Sequence, residues 1–149
     1  MSGLSHVGDD GRARMVDVSA KDSTLRTARA RGELICSPGT LDSVRAGTAP
    51  KGSVIGTAEL AGVMAAKRTA ELIPLCHPLS LTAIEVRIEI DGELPGFAIE
   101  AEVRTKAETG VEMEALTAVA VAGLTLFDML KAIDRTMVIG AIAVTSKTK

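Results

Sequence analysis

The sequence predicts an α+β fold, a four-stranded antiparallel sheet with two long helices on one face. Three observations carry this. Ser80 to Asp91 and Phe97 to Thr105 alternate apolar with charged residues, as half-buried strands do. Gly52 to Leu72 and Glu112 to Ile133 instead recur at helical spacing and are filled with good helix formers. At 149 residues, with 46% hydrophobic and 24% charged residues, the chain has the size and composition of one soluble domain around one core.

The first stretch, Met1 to Arg14, is short of apolar residues and contains Gly8-Asp9-Asp10-Gly11-Arg12. Such a segment buries too little to offset the entropy of ordering, so residues 1–14 are expected to form a mobile arm. From Arg29 to Ser37, Ala30, Gly32, Leu34 and Cys36 alternate with Arg31, Glu33 and Ile35, a weak strand ended by Ser37-Pro38-Gly39. Leu41 to Ala46 reads as at best a short helix. In Gly52 to Leu72, Ile55, Leu60, Val63 and Met64 mark the first long helix, closed by Pro74. Ala58, Gly62, Ala66 and Ala70 fall four apart on it, a small-residue stripe that suits tight packing against another backbone.

Ser80 to Asp91 sets Leu81, Ile84, Val86, Ile88 and Ile90 against Glu85, Arg87 and Glu89. Asp91-Gly92 turns the chain, and Phe97, Ile99, Ala101 and Val103 line one face of its hairpin partner. Glu112 to Ile133 is apolar on nearly every side and must be buried. Met137 to Ser146 closes the sheet. The order strand, helix, strand, strand, helix, strand is the split βαβ of a ferredoxin-like fold. Its second sheet face would need a cover, and the apolar last helix would leave a patch exposed in a monomer, so the chain is expected to be a homo-oligomer.

Several function classes are poor fits. A net charge of −2 gives no global attraction to nucleic acid, and two aromatics, Phe97 and Phe127, offer no stacking platform. The charge-free apolar run Ala115 to Phe127 is shorter than the roughly 20 residues that cross a bilayer, and no signal-peptide stretch opens the chain, so a cytoplasmic protein is expected. Cys36, Cys76, His6 and His77 lack tetrahedral metal spacing, and no metal site is expected.

Charged residues inside apolar elements carry the chemistry, because an unpaired buried charge is costly. On helical geometry Glu114 and Asp128 are about 40° apart and Lys131 about 60° further, so the three share a face. Glu114 and Asp128 are nevertheless about 21 Å apart along the axis, too far to serve one small reacting centre. A site spanning two subunits, one giving the helix start and the other Asp128 and Lys131, resolves this. Alone, Asp128 and Lys131 read as a surface ion pair, and partial desolvation would make them acid-base candidates. Leu75-Cys76-His77-Pro78 is an irregular turn whose histidine is either a binding group or a cap. Thr109-Gly110 ahead of Glu112 leaves a helix N-terminus that could hold phosphate, though Glu112 and Glu114 could equally complement the dipole. Lys51, Lys67, Arg68, Arg14, Lys21 and Arg26 read as solvated cations. The residues alone leave open a catalytic site or a non-catalytic nucleotide-binding module.

Five runs are more specific: Met15-Val-Asp-Val-Ser-Ala-Lys21, Ala65-Ala-Lys-Arg-Thr69, Leu72-Ile-Pro-Leu-Cys-His-Pro78, Thr109-Gly-Val-Glu-Met-Glu-Ala115, and Asp128-Met-Leu-Lys131 before Met137-Val-Ile-Gly140. Together they resemble the MoaC family from about Leu4 to Lys147. The resemblance implies a phosphorus-oxygen lyase of molybdenum cofactor biosynthesis that converts a 3',8-cyclised dihydro-GTP into cyclic pyranopterin monophosphate and pyrophosphate. It implies no metal or organic cofactor, and a homohexamer of three dimers with sites at the dimer interfaces. By matching motif, Asp128 resembles the catalytic acid-base, beside Lys131 and Lys51. Leu75, Cys76, His77, Met113 and Glu114 resemble the substrate-binding runs, with Glu112 and Lys67 as further pocket residues. Ala107-Glu108 departs from the family pattern, where a Gly-Lys pair is common.

Overall fold

The computed structural model describes residues 3–149. Four strands, β1 (Thr24–Ile35), β2 (Leu81–Asp91), β3 (Gly96–Ala107) and β4 (Val138–Thr148), form one antiparallel sheet in the order β2-β3-β1-β4. Four helices accompany it: α1 (Pro38–Ala46), α2 (Val54–Lys67), α3 (Thr69–Leu72) and α4 (Glu112–Leu130). This is the ferredoxin-like arrangement that the element order predicts, with α2 and α4 packed side by side on one sheet face.

The alternation of β3 places Phe97, Ile99, Ala101 and Val103 under the helices, opposite Leu34, Ala30 and Ala28 of β1. Leu126, Leu130, Val119, Ala118 and Ala115 of α4 close this core from above. By length and composition α4 could cross a membrane, with a mean hydropathy of 1.6, but it buries ten residues between α2 and the sheet. That is the position of a core helix.

Several elements differ from expectation for local reasons. β1 begins at Thr24, not Arg29, because Thr24 to Ala28 pair with Val103 to Ala107 of a partner strand that no local pattern reveals. α1 begins at Pro38: Ser37 is its N-cap, its hydroxyl accepts from the Thr40 N–H at 3.3 Å, and proline suits the first helical position. Gly47 ends α1 in the left-handed region, at φ 70°. The predicted single helix to Leu72 breaks at Arg68 (φ −108°, ψ 10°), where the buried Thr69 hydroxyl donates back to the Ala66 carbonyl at 2.9 Å.

The small-residue stripe is where α2 meets its neighbours. Ala58, Gly62 and Ala66 are buried, and a Cβ at Gly62 would lie 3.0 Å from the Ala118 carbonyl and 3.2 Å from Val86. Glu59 further ties α2 to the sheet by accepting from the Ile88 N–H of β2 at 3.0 Å. At the opposite end, the buried carboxylate of Asp134 accepts from the Ser37 N–H, the Thr40 hydroxyl, and the Thr136 N–H and hydroxyl, at 2.7–2.9 Å. It joins the start of α1 to the segment that follows α4.

Two expectations concern exposed surface. The uncovered sheet face is ionic: Arg29 and Arg104 both pair with Glu102, at 2.6 and 2.8 Å, and Arg87 pairs with Glu85 at 2.8 Å. Such a face can meet water without a cover. Of the large apolar side chains of α4, Leu124 stands exposed while α2 covers much of the rest, and Leu60 and Met64 of α2 are exposed as well.

Candidate active site

The two ends of the α2–α4 pair gather the polar residues. Lys51 precedes α2 and meets Asp128 near the end of α4, Gly62 faces Ala118, and Cys76 after α3 reaches Glu114. The two helices are therefore antiparallel, and each end combines residues distant in sequence.

At the first end, Asp128 Oδ2 accepts from Lys51 Nζ at 3.1 Å and Oδ1 pairs with Lys131 Nζ at 2.8 Å. Hydrogen bonds from Lys131 and then Lys51, reinforced by their charges, hold the Asp128 carboxyl below its ordinary value. It is an anion at neutral pH. Lys51 is thus paired with Asp128 and not merely a solvated cation. The Asp128 side chain is 56% exposed, as in a surface ion pair, so the condition of partial desolvation is not met within one chain.

At the second end, a cleft of about 350 Å³ is lined by Leu75, Cys76, His77, Thr109, Gly110, Glu112 and Met113, with His6 of the N-terminal segment at its edge. Glu114 lies behind it, 3% exposed. Burial raises the pKa of its carboxyl, and the Cys76 thiol donates to Oε1 at 3.7 Å. Burial and then the Glu114 charge push the Cys76 thiol to about 11, so it is no nucleophile at neutral pH. His77 Nε2 bonds the Val16 carbonyl at 2.6 Å, and Glu112 Oε1 pairs with Lys147 at 3.1 Å.

Four buried side-chain polar atoms have no hydrogen-bond partner among the described residues: Thr24 Oγ1, Arg26 Nε, Glu112 Oε2 and Glu114 Oε2. All four belong to residues around the start of α4 and the β1–β3 end that meets it. Polar groups left over in this way call for a partner from outside the chain, water or a polar ligand. No group of three or more His, Cys, Asp or Glu among the described residues is arranged to hold a metal.

The predicted residues therefore fall into two sets. Lys51, Asp128 and Lys131 come together at one end, and Leu75, Cys76, His77, Glu112, Met113 and Glu114 at the other. Lys67, exposed at the end of α2, lies toward the second set. Glu114 and Asp128 stay about 21 Å apart on a continuous helix and are not united in one chain. Their shared helix face does not give shared surroundings: α3 and the Leu75–Pro78 turn bury Glu114, while Asp128 stays open. Sequence reasoning missed Lys147, His6 and Thr24, which carry no local signal. It also read Arg26 as solvated, although the parity of Ala28 and Ala30 places Arg26 on the helix-facing side of β1, where Nη2 donates to the Glu108 carbonyl at 3.3 Å.

A model described as the MoaC family matches residues 15–149. The chain belongs to the MoaC family. A relative named cyclic pyranopterin monophosphate synthase from Roseiflexus sp. (strain RS-1) is 59% identical over 148 residues, 99% of this chain and 94% of that protein. Proteins of the same name from Nostoc sp. (strain PCC 7120) and Brucella ovis are each 56% identical, over 97% and 99% of this chain and 86% and 90% of their own lengths. The MoaC match begins at Met15 and so takes in Val16, which holds His77, together with both ends of the helix pair.

Proposed function

We propose that this chain is a cyclic pyranopterin monophosphate synthase, a phosphorus-oxygen lyase of molybdenum cofactor biosynthesis. Its substrate is (8S)-3',8-cyclo-7,8-dihydroguanosine 5'-triphosphate, and its products are cyclic pyranopterin monophosphate and pyrophosphate. The observation that carries the reading is the Asp128 carboxylate held between two lysines in a chain whose near-full-length relatives bear that name.

Phosphates of the substrate compete with Asp128 for Lys51 and Lys131. As the ammonium groups turn to the phosphates, they offset the charge of the departing pyrophosphate and release Asp128 to move a proton. The cleft around Cys76, His77 and Glu112 to Glu114 holds the rest of the substrate, and Lys67 adds a cation at that end. No metal or organic cofactor takes part, and neither nucleic acid nor a membrane is a partner.

The two sets of residues belong to one site when they come from neighbouring chains of a single-domain, cytoplasmic homohexamer built as a trimer of dimers. The separation of about 21 Å along α4 and the exposed Leu60, Met64 and Leu124 support that assembly. Incubation with the purified GTP-derived intermediate tests the activity. Pyrophosphate and cyclic product should appear together, and Asp128→Asn should lower turnover by about 10²- to 10⁴-fold while the substrate still binds. Absence of pyrophosphate with the wild-type protein would refute the synthase reading, and normal turnover by Asp128→Asn would refute the role of Asp128.

A further inference from the structure

We infer that the segment ahead of β1 fixes the tautomer of His77, holding the ring as the Nε2–H form and leaving Nδ1 as the nitrogen that meets substrate. The inference deepens the reading above and rests on it for the identity of the cleft.

The argument begins with a hydrogen bond that has only one possible direction. A carbonyl oxygen can only accept, so the 2.6 Å contact between His77 Nε2 and the Val16 carbonyl requires the proton on Nε2. In a neutral imidazole the other nitrogen is then bare and can accept a proton or a hydrogen bond. Among the described residues nothing bonds Nδ1, and the ring lines the cleft with Cys76, Glu112 and Met113.

Both sides of the contact are held. The Cys76 N–H donates to the Ile73 carbonyl at 3.1 Å, which folds the turn that carries His77. Beyond Val16, Ser19 donates from its N–H and its hydroxyl to Asp17 Oδ1, at 2.9 and 2.6 Å, and the Lys21 N–H donates to the Val18 carbonyl at 3.0 Å. Before Val16, the Arg14 N–H donates to the His6 carbonyl at 2.9 Å, and His6 itself borders the cleft. The run from Met15 to Lys21 thus acts as a strap: its backbone orients one histidine, and the turn before it delivers the other. Val16 is a positioning residue that works through His77.

The test uses the full chain labelled with 15N-histidine, whose two histidines are told apart with His6→Gln. With the ring neutral and no substrate present, the His77 spectrum should show a protonated Nε2 and a bare Nδ1. A ring protonated at Nδ1 alone, an averaged mixture of the two forms, or a ring doubly protonated throughout the folded range would overturn the inference. Hydrogen exchange supplies a second readout. In His77→Gln the amide nitrogen can take the place of Nε2, so backbone amides of residues 14–21 should keep their protection, whereas His77→Ala should exchange them about tenfold faster. Equal exchange in all three proteins would also overturn it. Neither readout involves turnover, so a failed pyrophosphate assay would remove the synthase reading and leave the tautomer result to stand on its own.

Discussion

Burial of the Asp134 carboxyl works against its charge, yet hydrogen bonds from Ser37, Thr136 and Thr40 outweigh burial and hold its pKa well below the ordinary 3.8. A carboxyl whose folded pKa is depressed stabilises the fold above its unfolded value and loses that contribution as pH falls toward the folded one. Asp134→Ala should therefore cost about 3 kcal/mol in urea denaturation at neutral pH, and the gap from wild type should narrow as pH drops below 3.8. A gap that stays constant across that range would show that the loss lies in packing and not in the charged hydrogen bonds. Some of this chemistry is legible in the sequence and some is not. The Asp128–Lys131 pair is visible because three residues make a helical neighbour, while Lys51, 77 positions away, joins them only through the antiparallel course of α2 and α4. Asp134 has a similar history, since its partners Ser37 and Thr40 lie more than ninety positions upstream.

Strand and helix identities follow from periodicity wherever one face is buried and the other wet, as in β2 and β3. Boundaries do not, because caps and pairing set them: Ser37-Pro38 reads as a turn until Thr40 is seen to donate to the serine hydroxyl. The kink at Arg68 is likewise a side-chain event inside a good helical pattern. At this scale Gly62 provides the clearest experiment. Its stripe lets α2 lie against the Ala118 carbonyl, a rigid backbone atom that cannot yield as a side-chain tip would. Gly62→Val should destabilise the protein by about 2–3 kcal/mol, read as a lower Tm, despite the cost that glycine imposes on a helix. An unchanged or raised Tm would mean that the two helices can separate without penalty, contrary to the close packing described.

For the whole molecule the decisive question is whether one chain or two complete the site. Asp128→Asn spoils one end of the helix pair and Glu114→Gln the other. If each site draws one end from each chain, a mixed dimer of these variants holds one intact site and one doubly damaged site. Co-refolded equal mixtures should then recover roughly a quarter of wild-type turnover, although each variant alone is defective. No recovery would mean that each chain supplies its own complete site. Helix arithmetic on the sequence is enough to raise this question, whereas a surface that could join two chains is not readable: charged residues on the open sheet face and half-exposed apolar residues on the helices look alike in any local window. The unbroken run of α4 has a consequence for how such a chain can vary in length. One residue inserted between Glu114 and Asp128 would turn everything beyond it by about 100°, carrying Asp128 and its i,i+3 partner Lys131 together away from Lys51. Even a two-turn insertion that restores the facing would change the spacing by about 10 Å and leave the two ends out of step with a neighbour. On the proposed two-chain reading, α4 is a fixed gauge whose residue count sets the spacing of the two ends.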